Sequence, residues 1–332
     1  MIQLRPAARL LLLVVLLLVT FLLAVRLGAV RLEVGQVLDA VLGRGDPTTV
    51  AIVRGLRLPR AVQTALVGAA LAISGATFQA LLRNALADPY VLGVSSGAAV
   101  GAVAAVGFGL AVSPWTVPAA AFVGAVVAMF VVFRIAAGAG PALDTRTLLL
   151  AGVVASAFFN AVILLALTFA DAEAFRSAIF WMMGSTAGAS WPRVLALLAY
   201  LVPGLLVLLA LARPLNLMAV GERTAAYLGT RVARTRLLAY ATASLVTAAA
   251  VAVSGAIGFV GLVIPHVVRL LWGSDNRFLL PASALLGASF LMLADAIART
   301  VAAPAELPLG VVTAFVGVPF FAWLLRRRPA AL

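Results

Sequence analysis

The residues able to do chemistry in this chain fall into four small groups. Asp295 and Arg299 stand four apart, so on a helix they share a face and can pair. Arg57 and Arg60 close the run RGLRLPR, and the planar guanidinium fork suits bidentate binding of a carboxylate. His266 follows Pro265, which has no backbone N–H to donate, so the imidazole can serve carbonyls left open nearby; a haem ligand is the other reading. Residues 213–236 carry five arginines and Glu222 between two long apolar stretches.

None of these groups is a covalent catalyst. All 24 cationic residues are arginine, so the lysine of a Walker A loop and Schiff-base chemistry are both excluded. There is no cysteine and a single histidine, which removes thiolate zinc, iron–sulfur and multi-histidine metal sites. No H-E-x-x-H occurs, and the one G-x-S-x-G string, GVSSG at 93–97, has only the single histidine His266 in the chain to serve as its base. The chemistry on offer is pairing and recognition, so no enzyme activity, cofactor or metal is expected.

The elements that must position these residues are membrane spans. Apolar residues make up 64% of the 332 positions and charged residues 11%, far from soluble globular composition. The net charge of +13 lies scattered in loops between hydrophobic blocks, so it orients the chain on a membrane and does not mark a nucleic-acid partner. Arg5 and Arg9 precede an uncleaved first helix, and residues 28–60 form an amphipathic loop on the outer side. Leu237 to Trp272 would be about 54 Å of helix against a hydrocarbon core of about 30 Å, so it must turn back, at residues 254–258. That gives ten spans with both termini inside. Fifteen arginines then fall inside and nine outside, with the 54–60 cluster as the exception to the positive-inside rule.

An internal repeat underlies the pattern. Residues 72–76 (AISGA) recur as 252–256 (AVSGA), and 152–156 (GVVAS) as 310–314 (GVVTA). Both pairs lie five spans apart, and an odd offset reverses direction, so the halves form an inverted-topology repeat. The 213–236 segment reads as two short helices, 215–220 and 222–228. Gly221 provides a turn through positive φ and Gly229 an end. Such a finger is either a handle for a soluble partner or a solvated loop. Gly152, Ser156 and Asn160 recur every fourth residue, as a weakly polar pathway stripe or a helix-packing seam. Asp295 is the one carboxylate placed well inside a span, which suits an ion-coupled secondary transporter if it is not simply paired with Arg299.

The run from GLRLPR through GAALAISGATFQALLRNALADPYVLGVSSGAAVG (55–101) resembles the permease subunits of ABC importers for cobalamin, iron–siderophores and haem. So do FWMMGS (180–185), GERTAAYLG (221–229), SGAIGFVGLVIPHVVRLL (254–271) and AELPLGVVTAFVGVPFF (305–321), in order and across nearly the whole chain. The resemblance implies an all-α type II importer permease, a single transmembrane domain over 1–332 that pairs as a homodimer. Two ATP-binding subunits inside and a substrate-binding protein outside would be its partners. It implies that 215–229 are coupling helices, with Leu217, Met218, Ala225 and Leu228 as apolar contacts. Glu222 and Arg223 would fix register between the glycines Gly221 and Gly229. Arg57, Arg60 and Arg299 would receive acids of the binding protein, unless they only snorkel to lipid phosphate. Asn84, Leu86, Thr145 and Arg146 are similar to the family's cytoplasmic gate, with Ala85 where the family has proline. A ferric siderophore is the expected cargo, with cobalamin and haem next, carried across the bacterial inner membrane.

Overall fold

The computed structural model describes residues 5–28, 32–138 and 145–327. The chain opens with α1 (Pro6–Arg26), then α2 (Val34–Val41) and α3 (Pro47–Ile52), which runs through a π-helical turn at Val53–Arg57 into α4 (Leu58–Leu81). A short turn of 3-10 helix at Pro89–Leu92 leads to α5 (Val94–Gly107), α6 (Thr116–Gly138) and α7 (Thr145–Thr168). Next come α8 (Ala172–Met182), α9 (Trp191–Ala210), α10 (Ala212–Val220) and α11 (Glu222–Tyr227). The last four are α12 (Val232–Ser254), α13 (Val260–Trp272), α14 (Asn276–Thr300) and α15 (Leu309–Arg327). No strand occurs among the described residues.

Among the described residues, seven segments are long and apolar enough to cross a membrane: α1, Pro47–Leu81, α6, α7, α9, α12 and α14. The other three expected spans are shorter apolar helices, at Val94–Gly107, Val260–Trp272 and Leu309–Leu324. The turn required between 254 and 258 is present, since α12 ends at Ser254 and α13 starts at Val260. Two expectations change. Residues 34–57 are largely helical, not an amphipathic loop, because Asp46 caps Thr49 N–H and Pro47 starts α3. The repeat partners adopt different local structure: Ser74 and Gly75 lie mid-helix, whereas Ser254 and Gly255 terminate one.

α4 is the central helix and is largely buried, packing against α14, α12, α13 and α9. Between apolar helices in lipid there is little hydrophobic drive, so close backbone approach must supply the attraction. Small residues permit it. A Cβ on Gly75 would lie 1.9 Å from the Gly261 carbonyl oxygen of α13. The same logic joins α5 to α6, where a Cβ on Gly97 would meet the Ala128 side chain at 2.3 Å. Gly75→Ala should therefore destabilise the fold by about 1–3 kcal/mol, read as a lower unfolding temperature in detergent. Gly35→Ala, where a Cβ meets nothing within 4 Å, should not.

The first turn of α13 is satisfied by a side chain from α4. Pro265 leaves the Gly261 carbonyl without its i+4 donor, and Gln79 Nε2 donates to Gly261 (3.3 Å) and Leu262 (3.2 Å) oxygens. Arg269 Nη2 in turn donates to Gln79 Oε1 at 3.0 Å. The expected role of His266 thus falls to Gln79. His266 is buried instead, its ring edge-on to Phe320 and Phe321.

Candidate functional site

Three groups of predicted residues gather at three separate places in the bundle. At one end, the π-helical turn widens the start of α4 and aims Arg57 and Arg60 inward. Arg57 Nη1 donates to the Val25 and Arg26 carbonyls, both at 2.9 Å. Arg299 donates to the Ala24 carbonyl at 2.9 Å and the Leu27 carbonyl at 3.1 Å. The last carbonyls of a helix have no intrahelical partner. Here two arginines supply the missing donors for α1.

Asp295 is the hub of this end, with its side chain 2% exposed. It pairs with Arg299 Nε at 3.0 Å and with Arg60 Nη2 at 2.9 Å, and it accepts from Thr186 Oγ1 at 3.0 Å. Thr186 receives a hydrogen bond from Thr64 at 3.0 Å. The opposite side of the Arg60 fork holds Glu306, with Nη1–Oε1 at 3.0 Å and Nη2–Oε2 at 2.9 Å. The three arginines are therefore engaged within the chain; Arg57 and Arg299 are buried and offer no free guanidinium to a partner. Sequence reasoning found Arg60, Asp295 and Arg299 but gave no role to Glu306, Thr64 or Thr186. Only the AELP motif carried a hint of Glu306.

The finger at the opposite end has the expected helix–glycine–helix form. Gly221 breaks it in extended backbone (φ 161°, ψ 140°), not through the left-handed turn expected, whereas Gly229 has φ +83°. Met218 and Ala225, expected to face a partner, are buried against Leu215, Phe78 and Tyr240. They anchor the finger to the bundle, because its own short helices need a core to lie on. Leu217 packs partly against the same cluster, and Leu228 and Arg223 are exposed. The apolar residues that protrude furthest are Tyr227 and Val220, 91% and 78% exposed, which the sequence did not single out. Glu222 pairs with Arg236 and, at 3.2 Å, with Arg83. Arg83 has φ +46°, uncommon for a side-chain-bearing residue, and it links the finger to the end of α4. Asn216 braces the finger's base, donating to Asp275 Oδ1 at 2.6 Å and accepting from Asn276 N at 2.9 Å.

Asn84 and Leu86 lie in the tight turn after Arg83, where Asn84 Oδ1 accepts from Leu86 N at 2.9 Å. Arg146 is exposed on the first turn of α7, and the side chain of Thr145 lies outside the described residues. The turn continues to Tyr90, whose hydroxyl accepts from Ile257 N and donates to Ile257 O, both at 2.8 Å. This clamps the 82–93 turn to the α12–α13 break.

A cavity of about 600 Å³ opens beside that clamp, lined by Asp88, Tyr90, Val153, Ser156, Asn160 and Phe259, among others. Two of the three stripe residues are in it. Gly152 is not; it is buried in helix packing. At about 100° per residue, positions eight apart on a helix diverge by roughly 80°. The stripe therefore drifts round the helix, and its Gly152 end turns into the packing. Phe259 was also missed; it starts α13 in the left-handed conformation, φ +68°.

Comparison with known proteins bears on this arrangement. The sequence profile described as the FecCD transport family matches residues 16–327. The cobalamin import system permease protein BtuC of Halobacterium salinarum is 49% identical over 290 residues, 87% of this chain and 77% of that one. The vitamin B12 import system permease protein BtuC of Escherichia coli is 45% identical over 271 residues, 81% of this chain and 82% of the relative. A solved metal-chelate type ABC transporter, in an inward-facing conformation, superposes with a TM-score of 0.86 at 32% identity, covering 96% of this chain and 98% of that one.

Proposed function

The chain belongs to the FecCD transport family, and from that premise we propose that it carries cobalamin or a related corrinoid into the cytoplasm. It is a multi-pass ABC importer permease, a transport subunit. The cargo reading rests on one observation, the 49% and 45% identity over most of the chain to permeases named for cobalamin and vitamin B12. Ferric siderophore, first in the sequence-based ranking, has no such support among these relatives.

In this reading α5, α13 and α15 also cross, which makes ten spans in two inverted halves. The whole of 1–332 is one transmembrane domain with residues 213–236 as its coupling segment. Both termini and the finger lie in the cytoplasm, as the fifteen-to-nine arginine distribution favours. Two copies pair about a central pathway, to which the Asp88–Phe259 cavity contributes with Ser156 and Asn160. Separate ATP-binding subunits grip Tyr227, Val220 and Leu228 on the finger. A substrate-binding protein delivers cargo at the Arg60 end, and Asn84, Leu86, Thr145 and Arg146 form the inner gate. Pairing of Asp295 with two arginines removes the unpaired intramembrane acid that an ion-coupled carrier would use.

The test is uptake by the reconstituted importer in proteoliposomes. Labelled cobalamin should accumulate only with ATP on the finger side, and a ferric siderophore or haem should accumulate at least tenfold more slowly. Uptake of siderophore or haem in preference would replace the corrinoid reading. Uptake driven by a proton or sodium gradient without nucleotide would end the ABC importer reading altogether.

A further inference from the structure

We infer that Glu306 is a built-in substitute for a partner's carboxylate, holding Arg60 until docking displaces it. The inference rests on the reading that a substrate-binding protein docks at this end of the bundle. Of the three arginines expected to receive acids, Arg57 and Arg299 are committed to the carbonyls that end α1. Arg60 alone can exchange. Its two sides are unequal: Asp295 is 2% exposed and doubly paired, whereas Glu306 is 43% exposed and, among the described residues, ion-pairs with Arg60 alone. An ion pair open to water is held weakly, while a buried one is costly to break. An incoming carboxylate of the right reach therefore takes the Glu306 position and leaves Asp295 in place. The cluster's charge explains why it would come. Three arginines face two carboxylates, a balance of +1, and withdrawal of Glu306 raises the balance to +2.

Glu306 also sits where its release would be felt inside the bundle. The next residue, Leu307, donates to the Ala298 carbonyl at 2.9 Å. Leu309 and Gly310 N–H groups donate to Gly184 and Met183 oxygens, both at 3.0 Å, joining the first turn of α15 to the turn after α8. That same turn carries Thr186, bonded to Asp295. Displacing Glu306 thus releases the segment just before α15 from Arg60, while the Thr186–Asp295 bond persists.

The complete importer in nanodiscs, titrated with its own substrate-binding protein, tests this. Glu306→Gln keeps the shape and removes the competing charge, so it should bind the protein at least threefold more tightly. Glu306→Ala should shift affinity the same way, which guards against an effect peculiar to the amide. Equal or weaker binding by both variants, with thermal unfolding unchanged, overturns the inference and leaves the docking reading standing. Absence of binding to wild type and variants alike removes the docking reading and this inference together.

Discussion

Asp295→Asn should destabilise this permease by about 3–5 kcal/mol, enough to abolish most folded protein at growth temperature. The substitution keeps the side chain's shape, deletes its charge and turns one of its two acceptor oxygens into a donor. Arg60 and Arg299 then remain at the same buried place, with Glu306 as the single acid between them. Removing one partner of a buried pair costs far more than the pair contributes, because the remaining charge is left without its counter-ion. Arg299 loses its ion-pair partner outright and Arg60 keeps only the more exposed Glu306, so the cost is that of a broken buried pair. Thermal unfolding of the purified chain, with folded yield from the membrane, measures it. Asp295→Asn combined with Arg299→Gln should recover part of the loss, since the second change removes one uncompensated cation. If the single variant unfolds within a degree of wild type, Asp295 is not the hub of this end. Loss of uptake with full stability would instead return Asp295 to the role of a transport acid.

The sequence revealed this hub only in part, and the reason is geometric. Asp295 and Arg299 are four apart, a spacing that any helix turns into a pair. Arg60 reaches Asp295 across 235 positions of chain and Glu306 across 246, and no local periodicity encodes that. The α12–α13 break was legible because hydrocarbon thickness forbids a longer helix. The donor for the carbonyl that Pro265 frees was not, since Gln79 comes from another helix. The finger shows the same division. Its glycines and helices could be read from residue type, but which apolar side chains point outward depends on the bundle beneath. Met218 and Tyr227 look equally suitable as docking residues in the sequence. One is 2% exposed and the other 91%.

That contrast yields the second large effect. Tyr227→Ala should weaken association of the ATP-binding subunit by about 2 kcal/mol or more, roughly thirtyfold, and cut uptake to match. An exposed tyrosine presents a large rigid surface with a polar tip, the kind of side chain that dominates interface energies. It stands beside Leu228, 62% exposed, on a finger whose other apolar residues are buried or half-buried apart from Val220 and the small Ala219 and Ala226. The finger is braced to transmit force: Glu222 ties it to Arg83 and Arg236, and Asn216 ties it to the start of α14. A grip on Tyr227 therefore moves α4, α12 and α14 together, and losing the grip uncouples all three. Met218→Ala is the informative contrast. Its side chain lies in the core, so it should lower the unfolding temperature while leaving affinity per folded molecule unchanged. If Tyr227→Ala binds the ATP-binding subunit as wild type does, the motor holds the permease elsewhere than at this finger.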